Sequence, residues 1–220
     1  MKINESMKRR EHMKKFARKM MAVICMLSLS MGLFGMTVCA AEEDQQRAVY
    51  YEEYKKIVEK ISSDTGVELT LLPAEEFAEE DWRTPEEFER VIREFATAEI
   101  VIEDSDDDIM DLLSGARSAV SASKNVSFVW GSSVSTTIKI KASFSTQYSS
   151  GRQYISGVSS ISSSKASGNG TWKQFGSDYV ILDAGRTAQV SASGTITYAG
   201  ASTNKLLTVE FYCSATGGIS

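Results

Sequence analysis

Carboxylates are the abundant groups in this chain that could act as acids, bases or metal ligands. They are densest near its middle, where Glu103-Asp104-Ser105-Asp106-Asp107-Asp108 places five acids in six residues. The spacing resembles the start of a calcium loop, with Asp104, Asp106 and Asp108 at alternate positions. The sharp turn of such a loop needs glycine where this chain has Ile109, and its bidentate ligand needs glutamate where it has Gly115. The stretch is therefore read as a solvated joint that like-charge repulsion keeps extended. Ser105 or one of the acids could cap a short helix through Ile109, Leu112 and Leu113. No metal and no cofactor are expected.

Other catalytic chemistries are narrowed by counting. The only histidine is His12, and Cys25 and Cys39 also lie before residue 41, so residues 42–220 hold no histidine and one cysteine, Cys213. Ser-His-Asp and Cys-His catalysis and the usual zinc sites all need more than this. Ser162-Ser163-Ser164-Lys165 has the spacing of a Ser-x-x-Lys pair, but it lies in a serine-rich strand region rather than at a helix start. Carboxylate-pair hydrolysis would depend on Asp178, Asp183 and Glu210, the only acids after residue 112. Asp178 and Asp183 flank one short strand, and acids at its two ends lie too far apart to share a glycosidic bond. Cys213 alternates with Leu207, Val209 and Phe211, which predicts a core thiol.

The remaining candidates are side chains that bind rather than react. Trp172, beside a glycine-rich turn, and Tyr212, alternating with Glu210 and Thr208, are expected to be exposed and to offer ligand-binding surface. Trp130 and Tyr198 alternate with apolar residues and are expected in the core. Lys139 and Lys141 stand on the polar face of a strand, where they could contact a partner or discourage edge-to-edge association.

These residues must be positioned by two very different stretches of chain. Residues 1–19 carry eight Lys or Arg, residues 20–40 carry no charge, and small residues follow at Val38-Cys39-Ala40-Ala41. That order predicts a secretory signal peptide over 1–41, cleaved near Ala40 or Ala41, with Met13 an alternative start. An uncleaved leader would be a membrane anchor. Without it the chain has 16 basic and 27 acidic residues, a net charge of −11 that argues against a nucleic-acid partner. Residues 42–112 have 24 acids against 7 bases, whereas residues 113–220 have 3 acids against 9 bases. So sharp a reversal predicts an acidic helix-rich module over 42–102, a linker over 103–122 and an all-β domain over 123–220.

Within the acidic module, Tyr50, Tyr54, Ile57, Val58 and Ile61 recur at helical spacing up to Gly66. Val67–Leu72 reads as a short strand, and residues 75–80 as one or two helical turns. Thr84-Pro85-Glu86-Glu87 opens a second helix with N-cap, N1 proline and capping box, and its face of Phe88, Val91, Ile92 and Phe95 should be buried. Beyond residue 123 the period is two. Val134, Thr136, Ile138, Ile140, Ala142 and Phe144 should face inward, as should Ala188, Val190, Ala192, Gly194, Ile196 and Tyr198. Further strands are expected at 126–130, 154–161, 179–182 and 205–213. The predicted class is α+β: a helix-strand-helix module followed by an antiparallel β-sandwich, with a barrel as the alternative.

Two stretches resemble uncharacterised secreted proteins of Gram-positive, Firmicutes-type bacteria. One is Tyr50-Tyr51-Glu52-Glu53-Tyr54-Lys55-Lys56-Ile57 with Leu71-Leu72-Pro73 and Thr84-Pro85-Glu86-Glu87-Phe88. The other is Leu182-Asp183-Ala184-Gly185-Arg186-Thr187-Ala188 with Ser193-Gly194-Thr195-Ile196-Thr197-Tyr198. The resemblance implies export and a β-rich C-terminal domain, and it carries no activity. The expectation is an exported, non-enzymatic module binding protein or glycan at or outside the cell envelope. The alternatives are a secreted carboxylate hydrolase, or a regulator whose acidic half masks the basic β domain.

Overall fold

A computed structural model describes residues 43–104, 120–131 and 134–220. The chain divides into two compact units, residues 1–50 and 51–220. In the first unit, residues 43–50 are helical, with Arg47 paired to Glu43 at 2.7 Å. The leader, and the acidic stretch from Ser105 with the helix expected beyond it, lie outside the described residues. Among the described residues, no helix is long and apolar enough to cross a membrane.

The second unit begins in helix α1, residues 51–65. Tyr54, Val58 and Ile61 form its buried stripe. The helix stops where expected: Gly66 takes a left-handed φ of 69°, and its N–H reaches the Ser62 carbonyl at 2.9 Å. Strand β1 is shorter than the sequence implies, covering only Thr70–Leu71. The residues before it are diverted into closing the helix end. Val67 N–H donates to Thr65 Oγ1 and Leu69 N–H to Ser62 Oγ, leaving those backbone donors unused for a sheet ladder.

Two 3-10 turns, Ala74–Glu76 and Glu79–Asp81, lead to helix α2, Pro85–Ala96. Thr84 caps α2 by accepting from the Glu87 N–H at 3.3 Å, and Phe88, Ile92 and Phe95 are buried. An aromatic cluster holds this part together. Tyr54 stacks on Phe88 at 3.9 Å between centroids, and Phe77 packs on Trp82 at 4.9 Å. The Tyr54 hydroxyl accepts from the Arg83 N–H and donates to the Arg83 carbonyl, so the chain entering α2 is pinned to α1. On the exposed side, Glu89 joins Lys60 at 2.9 Å and Arg93 at 3.1 Å, and Arg93 also reaches Asp64. The two cations hold the Glu89 carboxyl below its ordinary pKa through hydrogen bonds, that to Lys60 contributing most. The polar face of α2 is thus ion-paired and open to solvent.

The rest is two four-stranded antiparallel sheets, giving an α+β fold. One has the order β1-β8-β7-β6 and the other β2-β3-β4-β5. Their strands are β2 Glu99–Asp104, β3 Val120–Trp130, β4 Val134–Ser149, β5 Arg152–Gly168, β6 Thr171–Leu182, β7 Thr187–Tyr198 and β8 Ala201–Tyr212. On the predicted inward faces of β4 and β7, Thr136, Ile138, Ile140, Ala142 and Phe144, and Ala188, Val190, Ala192 and Ile196, have no exposed surface. Gly194 is buried, Tyr198 is only half-buried because it stands at the end of its strand, and the side chain of Val134 lies outside what is described. Side chains from the two sheets meet at Phe144 and Phe211, 5.0 Å apart. Phe95 of α2 reaches the sheet residues Trp130, at 5.5 Å, and Tyr198, at 5.9 Å. The C-terminal residues fold back on β8. Cys213 bridges to Ile219, and Arg152 donates to the Cys213 carbonyl at 2.8 Å.

β5 and β8 are longer than the sequence implies, and three further differences bear on the candidate residues. β2 is a strand that the reading left out, and it takes Glu103 and Asp104 of the acidic stretch into the sheet, paired with Asn125 and Lys124. Its apolar run, Ile100-Val101-Ile102, is only three residues long, so no period could be read from it. β3 begins at Val120 rather than Val126 because Lys124 occupies a buried-face position that looked polar. β6 begins at Thr171 rather than Tyr179, which brings Trp172 into the sheet.

Candidate functional site

The four residues expected to bind ligand stand on three different surfaces. Lys139 and Lys141 lie on the polar face of the β2–β5 sheet, opposite Asn125 and Ser123 on one side and Ser164 and Ser162 on the other. Trp172 pairs with Ile196, and its partners belong to the buried face of the β6–β8 layer. Contrary to expectation it is half-buried. Its indole packs against Gly194, where a Cβ would sit 2.3 Å from the ring, and its Nε1–H donates to Ser163 Oγ at 2.9 Å. The neighbouring glycine-rich turn suggested exposure. The deciding residue was Gly194, far away in sequence, which leaves room for the ring.

Tyr212 is where the sequence placed it, on the outer face of the β6–β7–β8 sheet and 50% exposed. The ladder sets that face out in rows across the strands: Val180–Gln189–Glu210, Asp178–Ser191–Thr208, Gly176–Ser193–Leu206 and Lys173–Thr195–Asn204. Hydroxyls and amides dominate it, and many are tied across strands. Ser191 and Thr208 hydroxyls are 2.9 Å apart, and Thr195 donates to Asn204 at 2.8 Å. At one end, the Tyr212 hydroxyl donates to Glu210 Oε2 at 2.7 Å while Gln189 reaches Oε1 at 3.5 Å. The carboxylate thereby fixes the ring rather than standing free as a reacting group. Leu206, 65% exposed, lies further along the face on β8, and Phe175, 63% exposed, sits at a β-bulge of β6, two strands away.

The three acids of this region do not converge. Asp178 accepts from the Tyr179 N–H at 2.8 Å, and Asp183 accepts from the Thr187 hydroxyl at 3.1 Å in the turn before β7. Strand rise puts Asp178 and Asp183 about 16 Å apart. Asp178 and Glu210 are two strands and one row apart, on the order of 12 Å. Paired glycosidase carboxylates stand about 5–9.5 Å apart. Among the described residues, no group of three or more metal-ligating side chains comes together.

Two open clefts lie away from the Tyr212 end of this face, the second touching it at Asn204. One, of about 630 Å³, is walled by Glu76, Glu80, Asp81 and Arg83 against the turns at Gly170 and Gly200. The Arg83 Nη1 is buried and without a hydrogen-bond partner. The other, of about 290 Å³, runs beside the short β1 and includes Glu68, Thr203 and Lys205. Burial pushes the Lys205 ammonium below its ordinary pKa.

Two buried groups complete the picture. Lys124, missed in the sequence because its strand looked polar there, is buried with its ammonium 5.9 Å from the rings of both Phe211 and Tyr212. Cys213 is buried as expected. Desolvation pushes its thiol pKa up, which the nearby Arg152 opposes only in part. Comparison with family models, with curated proteins and with solved structures found no match to this chain.

Proposed function

We propose that this chain is exported by a cleaved leader and acts at or outside the cell envelope as a non-enzymatic binding module. In this reading its two sheets form a β-sandwich, and the outer face of β6, β7 and β8 binds a glycan. The observation that carries the reading is the Tyr212 ring, half exposed and fixed by Glu210 at the end of a face of hydroxyls and amides. A planar ring with ordered polar neighbours suits a sugar, whose C–H face stacks while its hydroxyls bond alongside. Protein-docking surfaces favour contiguous apolar area instead. Here Leu206 is set among Ser193, Asn204 and Thr208.

Retention on insoluble cell-wall polysaccharide tests the proposal. The wild-type chain should be retained, and Tyr212→Ala should bind about tenfold more weakly, one stacking contact's worth. Trp172→Ala should matter less, provided the variant is folded. Failure of the wild type to bind any polysaccharide, or undiminished retention of Tyr212→Ala, overturns it.

A further inference from the structure

Strand β2 ends the β2-β3-β4-β5 sheet, and among the described residues no strand pairs with its outer edge. Its ladder with β3 sets the direction of each side chain. Ile100 stands opposite Phe128 and Ile102 opposite Val126. Residues directly opposite in an antiparallel pair share a face. Phe128 and Val126 are each only 1% exposed, so the two isoleucines extend the buried face to the edge of the sheet. They are nevertheless 47% and 52% exposed there. Glu99, Val101 and Glu103 point the other way, and both carboxylates are exposed.

An open edge of this length leaves roughly three N–H and three C=O groups able to receive another strand. The side chains determine what that strand can be. A second copy is disfavoured by charge in its fullest overlap, although its apolar residues would match. In the two-fold register that sets Ile100 against Ile102 and Val101 against itself, Glu99 falls opposite Glu103 twice. Like charges directly opposite are destabilising. The same two carboxylates favour a strand that carries cations at those positions.

We infer that β2 is a docking edge for an extended basic segment of a partner protein, in which Lys or Arg alternates with apolar residues. The apolar side chains lie beside Ile100 and Ile102 and continue the buried face. The cations lie beside Glu99 and Glu103, and the main chain completes the ladder. This surface is separate from the face around Tyr212, and the inference does not rest on glycan binding.

The probe is the labelled heptapeptide Lys-Val-Lys-Val-Lys-Val-Lys, titrated against the full chain by fluorescence anisotropy. It should bind, slow amide exchange in residues 99–104, and bind more weakly as salt rises. Charge reversal by Glu99→Lys with Glu103→Lys, both at exposed positions, should weaken it about tenfold or more and create binding to the Glu-Val-Glu-Val-Glu-Val-Glu peptide. A Lys-Ser-Lys-Ser-Lys-Ser-Lys peptide should bind less well than the valine peptide, because it leaves the isoleucines uncovered. Absence of binding, equal binding by the charge-reversed chain, or equal binding of the serine peptide overturns the inference. So does a neutral-pH dimer of the wild type that protects residues 99–104.

Discussion

Gly194→Ala should destabilise this protein, for a reason that lies on the next strand. The added Cβ would sit 2.3 Å from Trp172 Cζ2 and 2.6 Å from both Cε2 and Cη2. Carbon atoms in contact prefer about 3.5–4.0 Å, so the ring must move by more than about 1 Å. Overpacking of this kind costs about 1–3 kcal/mol. Displacing the indole also breaks its bond to Ser163 Oγ, for about 1 kcal/mol more. That serine is tied to Gln174, whose side-chain oxygen accepts from both the Ser163 N–H, at 2.5 Å, and its hydroxyl, at 2.9 Å. The expected loss is therefore about 2–4 kcal/mol in urea or guanidinium unfolding, with altered tryptophan emission in the native baseline. Gly194 has ordinary negative φ, so the backbone itself accepts alanine. In a Trp172→Ala background the same substitution should be neutral, or stabilising by up to about 1 kcal/mol, since glycine weakens a strand interior. The two changes would then couple by about 2 kcal/mol or more. Additivity within about 0.5 kcal/mol would refute the packing argument, because it would mean the ring does not rest on that glycine.

Two further outcomes follow from the burial of charged and reactive groups. Lys205 is half-buried, and among the described residues no carboxylate lies within ion-pair distance, so Lys205→Met should raise the melting temperature at pH 7. Its folded pKa lies below the unfolded value of about 10.4, so the cost is present at neutral pH and fades as pH rises through the folded pKa. The advantage of methionine should shrink over the same alkaline range, and a gain that is constant with pH would count against the desolvation account. Cys213 should resist iodoacetamide in the native chain at pH 7.4 and react fully in denaturant. Rapid alkylation of the folded protein would show that the C-terminal residues do not cover it.

Much of the scaffold was legible because it depends on neighbours in sequence. The cap at Thr84, the stop at Gly66 and the buried stripes of both helices come from local hydrogen bonding and a period of 3.6. The inward residues of β4 and β7 come from a period of two, which backbone pleating imposes before any partner strand is known. Tyr212 alternates with Thr208 and Glu210, so its outward direction was legible too. The composition bounded the chemistry in the same way, since residues 42–220 contain no histidine and a single cysteine.

What only the tertiary structure decided are the relations across strands. Trp172 turns inward because Gly194, 22 residues later, has no side chain to occupy the space. Lys124 can be buried because Phe211 and Tyr212 bring aromatic rings beside its ammonium. The acids at Glu103 and Asp104 end a strand rather than begin a free joint, because β3 offers Asn125 and Lys124 in register. Periodicity tells each residue which way to face. Which residue it will face depends on strand order and register, and these are fixed only when the whole chain packs.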